Sequence, residues 1–251
     1  MIVTPVTSED QHRVAYGDEE IVFTLRRQPS RLIPSVSIHV EHDGRVQVDA
    51  PAQTPLADVL AAVRKRSRWI SKHVFAARER QAHVLPREYV SGESIHYLGK
   101  RYRLKVILQI DAKSEAKLRG AFLMVRVPGH DAELIKACID TWYRDRAREV
   151  FENRIKVVSE PLRWVSQQPT FRLQFMTRQW GSCSPSGRLT LNPLLVAAAR
   201  EAIDYVLLHE MCHLKHHNHS RSFYATLARH LPDWKHVKAR LDNQAELILR
   251  R

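Results

Sequence analysis

The chain has 251 residues, 44% of them hydrophobic, which suffices for one large core or two modest ones and excludes a peptide-like or fully disordered molecule. Forty Lys and Arg against 27 Asp and Glu leave a formal charge of +13, which attracts phosphate-rich or acidic partners without specifying one. Three dispersed cysteines, Cys138, Cys183 and Cys212, cannot form a disulfide framework or a four-thiolate zinc site, and they point to a reducing compartment. The opening residues lack a basic segment followed by an apolar core, and the longest apolar run, Leu194 to Ala199, is too short to cross a bilayer. A cytoplasmic location with no membrane partner is therefore expected.

In chain order, the first 115 residues read mostly as short extended segments. Glu20–Leu25, Ser35–Val40 and Arg45–Asp49 alternate in polarity, and Asp43-Gly44 between the last two predicts a hairpin. Pro51 ends that strand. A helix opening at Thr54 or Pro55 then takes its apolar side from Leu56, Val59, Leu60, Val63, Trp69 and Ile70. Its other side carries Arg64, Lys65, Arg66 and Arg68, which read as a solvated face or a nucleic-acid contact. A second hairpin is expected from Ser94–Leu98 and Arg101–Ile107 around Gly99, a polar loop over 111–120, and a strand over Ala121–Val127. Pro128-Gly129 marks the expected domain boundary.

From Ala132 to about Val157, apolar residues from Leu134 to Ile155 recur at helical spacing and predict a long amphipathic helix. Pro161 stops it. Phe171–Met176 reads as a strand, and two further helices are expected over Ser222–His230 and Trp234–Leu249. No internal repeat or low-complexity tract is visible. The expected class is α+β: a strand-rich N-terminal domain with one helix over residues 1–128, and a helical domain with a small antiparallel sheet over 129–251.

The chemistry concentrates at His209-Glu210-Met211-Cys212-His213, inside a helical pattern. That spacing sets both imidazoles one turn apart on one side, as two neutral nitrogen ligands, with Glu210 free to act on a water that the metal activates. The bland alternative is a His-Glu hydrogen-bond network on an ordinary helix. Candidate third ligands are His216, His217, His219, His230 and His236, with Asp242 and Glu246 as carboxylate alternatives that spacing does not decide. On a continuous helix His219 falls about 240° from His213 and faces away. A break at His217-Asn218, where Asn tolerates a left-handed backbone, returns His219 to the other two, and Ser220 then caps the next helix. His209, His213 and His219 suit zinc with a fourth position for water, better than magnesium, which prefers oxygen ligands. Glu210 is the expected general base, and Arg178 or Tyr224 the expected oxyanion donor. Cys183 reads as a structural thiol, with no Cys-His catalytic arrangement beside it.

These features together resemble the YgjP-like metallopeptidase family, zincin-type and related to SprT-like proteases. The resemblance is carried by Arg178-Gln-Trp-Gly-Ser-Cys-Ser184, Arg188-Leu-Thr-Leu-Asn192, Tyr205 through Lys215, Asn218-His-Ser220, Phe223 and Leu231-Pro-Asp-Trp234. Gly92-Glu93, Tyr97 through Tyr102 and Trp142-Tyr-Arg144 extend it toward the N-terminus. It implies a zincin-like domain over 129–251, zinc held by His209, His213 and His219, Glu210 as base, and a substrate groove beside Trp180–Cys183. The implied activity is hydrolysis of a peptide or unfolded protein. The resemblance also admits nucleoside triphosphate pyrophosphatase activity, for example on UTP, and a DNA-associated module with structural zinc, either using the basic surface. Against the nucleotide reading, the sequence has no Gly-rich phosphate loop and no clear acidic metal pair.

Overall fold

The computed structural model describes residues 10–17, 19–28, 36–40, 44–82, 87–110, 113–177, 179–216 and 219–249. The chain divides into two compact units, 1–85 and 86–251.

In the first unit, β1 (Asp10–Tyr16), β2 (Glu19–Gln28), β3 (Ser37–Val40) and β4 (Val46–Pro51) form a sheet in the order β1-β2-β4-β3. The outer pairs are antiparallel and β2 runs parallel to β4. Alternation sends Ile21, Phe23 and Leu25 of β2 and Val46, Val48 and Ala50 of β4 to one buried face. Gly44, at φ +79°, sits in the left-handed region that the predicted Asp-Gly turn requires, while 41–43 lie outside the described residues. Val59, Val63 and Ile70 complete this core. They come from two helices rather than the single one expected, α1 (Leu56–Lys65) and α2 (Ser67–Ala82). Arg66 leaves helical geometry at φ −110°, ψ 9°, and the buried Ser67 hydroxyl donates to the Val63 carbonyl, so a side chain takes up a helix-end acceptor.

The second unit begins with β5 (Ser94–Tyr97), β6 (Lys100–Leu108), β7 (Glu115–Arg119) and β8 (Phe122–Val127), ordered β5-β6-β8-β7. β6 and β8 are parallel and the outer pairs antiparallel, so this sheet repeats the pairing pattern of the first. The repeat is one of topology without a recognisable sequence repeat. The polar segment read as a loop contains β7, an edge strand. Its polarity follows from that position: Glu115 pairs with Lys117 and Arg126, as suits a strand with one unpaired side.

Helix α3 (Ala132–Ser159) carries the expected stripe from Ile135 through Trp142 and Phe151 to Ile155 and is capped by the Asp131 carboxylate, which accepts from the Glu133 N–H. It packs on β7 and β8 and on the segments that build the site, so all of these share one core. The expected boundary at Pro128-Gly129 consequently falls inside the second unit, because the stripe on α3 is covered by strands that precede it. The α+β class holds; a clean strand-rich and helical partition does not.

Beyond α3, β9 (Phe171–Leu173), β10 (Gly181–Cys183) and β11 (Leu189–Leu191) form a small sheet ordered β10-β11-β9. It is mixed rather than purely antiparallel, since β11 runs parallel to β9. A 3-10 turn, Pro193–Ala197, leads to α4 (Arg200–Cys212), followed by α5 (Arg221–His230) and α6 (Trp234–Leu249). The β5–β6 turn docks on that 3-10 segment: Leu98 N–H donates to Val196 O at 2.7 Å and Gly99 N–H to Ala197 O at 3.2 Å. A Cβ at Gly99 (φ +76°) would stand 3.0 Å from Ala199 Cα, so the approach requires glycine. No described helix is long and apolar enough to cross a membrane.

Candidate metal centre

Helix α4 is anchored from behind. Arg154 on α3 makes two bonds to Asp204, at 2.7 and 2.8 Å, and Trp164 Nε1 donates to Met211 O at 3.1 Å. The cleft side of the helix end then carries the chemistry. His209 and Glu210 lie in its last turn, and His213 is its cap, with N–H donating to Glu210 O. The helix thus ends earlier than the expected break at His217-Asn218, two residues outside the described set. The consequence is the expected one. His219 returns with Nε2 3.0 Å from His209 Nε2, and the available nitrogens of His209, His213 and His219 lie within 4.8 Å of one another. Ser220 caps α5 by accepting from Phe223 N–H, as expected.

Three observations fit this trio to a divalent metal. Tetrahedral zinc with nitrogens at about 2.0–2.1 Å needs ligand atoms about 3.3 Å apart, within the spread present here. Burial, then the neighbouring His219 and His213, pushes the His209 imidazole down to about 3, holding its lone pair free for coordination. The His213 Nδ1 meets His216 O at 3.1 Å, which leaves Nε2 for the metal. His216 itself bonds Thr226 Oγ1 at 2.9 Å and does not join the trio. Among the described residues, neither Asp242 nor Glu246 joins the trio. Asp242 is ion-paired with Lys238 on α6.

The fully buried Phe223 ring underlies all three imidazoles, with centroids 4.9, 4.8 and 4.8 Å from His209, His213 and His219. Behind it, Tyr224 stacks on His219 at 6.1 Å and on Trp234 at 5.2 Å. Tyr224 is not among the residues that wall the cleft and stands beside His219. Arg178 lies outside the described residues.

The cleft has a volume of about 760 Å³ and is walled by β10, α4 and α6, including Trp180, Ser182, Tyr205, Lys238 and Asp242. Glu210 enters it only 7% exposed, and burial alone pushes its carboxyl up to about 8. It packs against the β10 backbone: a Cβ at Gly181 would stand 3.0 Å from Glu210 Cγ and 3.1 Å from Oε1. Gly181 of β10 thereby makes room for the carboxylate; glycine within a strand is the available sequence signal for such close approach. Cys183 also lines the cleft, with its thiol pushed up to about 11 by burial and then by Glu210, so it is protonated at neutral pH. Asn192 was missed as a site organiser. Its buried amide donates to Met176 O and Gln179 O at 2.7 and 3.0 Å and its oxygen accepts from Leu194 N–H, fastening the loop that precedes β10.

No curated protein matches the chain. Among solved structures, that of the metallopeptidase zymogen abylysin from Pyrococcus abyssi is similar at 22% identity and a TM-score of 0.31, covering 38% of this chain and 90% of that one. Residues 34–244 match the family described as YgjP-like, metallopeptidase domain, and the chain belongs to that family.

Proposed function

We propose that the second unit is a zinc-dependent peptidase in which His209, His213 and His219 hold the metal and Glu210 is the general base. The observation that carries this reading is the convergence of three imidazoles beside one buried carboxylate in a cleft bordered by a sheet edge. Zinc bound by such a set supplies an acidified water and a Lewis acid for a carbonyl oxygen. Burial alone raises the Glu210 carboxyl to about 8, and a cation held by the three imidazoles would lower it again, so that the ionised carboxylate would accept a proton from the attacking water and return it to the leaving amine. Among the described residues β10 pairs with β11 alone, so its other edge offers backbone groups to an extended chain of little sequence preference. Arg178 is the proposed oxyanion donor. Tyr224 enters as a brace for His219, given its stacked position outside the cleft wall.

Purified protein should contain about one zinc per chain and hydrolyse an unstructured protein. Glu210→Gln should retain the metal and abolish hydrolysis. Pyrophosphate release from UTP, assayed in parallel with the same variant, decides the reaction class: turnover of UTP without peptide turnover would reject the peptidase reading.

A further inference from the structure

The first unit presents a surface that the cleft does not use. Arg64, Lys65, Arg66, Arg68 and Lys72 are all exposed, clustered at the α1–α2 junction. Among the described residues no carboxylate pairs with any of them. Beside them Trp69 is 43% and Phe75 63% exposed, and Trp69 packs on His73 with ring centroids 4.3 Å apart. At about 100° per residue, Arg68, Trp69, Lys72, His73 and Phe75 share an arc of about 160° on α2. The buried Ile70 and Ala77 hold the opposite side. Glu79 lies on the same outer arc, past Phe75, and Glu19 and Glu20 line a cavity with Phe75, so acidic groups border the basic surface at that ring. The contrast with the second unit is informative. There α3 follows a sheet of the same pairing pattern, yet its Trp142 is covered and only 7% exposed.

We propose that this face of α2, with the end of α1, binds single-stranded nucleic acid: Trp69 and Phe75 stack on bases while the five cations contact phosphates. This goes beyond the metal site and does not depend on its reading. Stacking needs only isolated planar rings between cations, which is what the arc provides. Insertion into a lipid surface needs a contiguous apolar face, and here Lys72 separates the two rings. A duplex offers phosphates but keeps its bases stacked away from the rings.

The test uses the full zinc-loaded chain and labelled oligo-dT and oligo-U of about 20 nucleotides, with fluorescence anisotropy as the readout. Five neutralised phosphates on a single strand give a slope of about −3.5 in log affinity against log salt, roughly a hundredfold loss between about 50 and 200 mM. Arg68→Ala with Lys72→Ala should make that slope shallower by about 1.4. Trp69→Ala should weaken binding on the order of tenfold at unchanged slope. Phe75→Ala carries the same expectation as Trp69→Ala, so either ring tests stacking if one variant unfolds. Failure to bind either oligonucleotide overturns the proposal. So does binding indifferent to these substitutions, a preference for duplex of equal length, or displacement of the oligonucleotide by anionic phospholipid vesicles.

Discussion

Removing the proposed base should stabilise the metal-free protein. The Glu210 carboxyl is 7% exposed, and burial raises it from the ordinary value of 4.5 to about 8. Below pH 4.5 the carboxyl is protonated in both folded and unfolded chains and costs nothing. Between pH 4.5 and 8 the unfolded chain releases the proton while the folded chain keeps it, so stability falls by about 1.4 kcal/mol per pH unit. Above pH 8 both forms are ionised and the cost stays constant, at roughly 5 kcal/mol if the whole interval counts. Glutamine at 210 carries no such cost. In the presence of a chelator, thermal midpoints of wild type and Glu210→Gln should coincide near pH 4.5 and diverge by about 10 °C at pH 8, the variant being higher. His209, held down by burial, contributes stability of opposite pH slope, but it is common to both proteins and cancels in the difference. A bound cation lowers the carboxyl pKa, so zinc should narrow the gap. A difference that stays flat from pH 4.5 to 8 would refute the desolvated-carboxylate argument, whatever the effect on hydrolysis.

Three further outcomes follow from the same geometry. Phe223→Ala, which empties the floor under all three imidazoles, should cost about 3–5 kcal/mol in denaturant unfolding and weaken zinc binding, read by chelator competition. Tyr224→Phe should keep zinc affinity, because the ring supplies the stack on His219, whereas Tyr224→Ala should lose on the order of tenfold; a large fall in kcat for the phenylalanine variant would restore the hydroxyl as an oxyanion donor. Asn192→Leu leaves the Met176 and Gln179 carbonyls and the Leu194 N–H without their partner and should destabilise the second unit by about 2–4 kcal/mol in denaturant unfolding.

What the sequence disclosed and what it concealed divide along a physical line. The i, i+4 histidines and the long stripe on α3 are consequences of one helical period, so they could be read locally. The return of His219 and the Ser220 cap were also readable, although the helix already stops at His213 and the expected break at His217-Asn218 lies outside the described residues. β7 was hidden because an edge strand obeys solvent on one side, and its ion-paired Glu115 and Lys117 carry the composition of a loop. The domain boundary was misplaced for a different reason. Pro128-Gly129 is a genuine local interruption, but a boundary depends on which surfaces cover each other, and Leu123, Val125 and Val127 before it share a core with Ile135 and Ile139 after it. Gly181, His216 and Asn192 belong to this nonlocal class too. Each acts through a partner brought near by folding: the Glu210 carboxylate, Thr226 or the Met176 carbonyl. A ligand set can therefore be written in short-range spacing, while the groups that hold its base and its loops in place acquire meaning only after the sheet and helices have met.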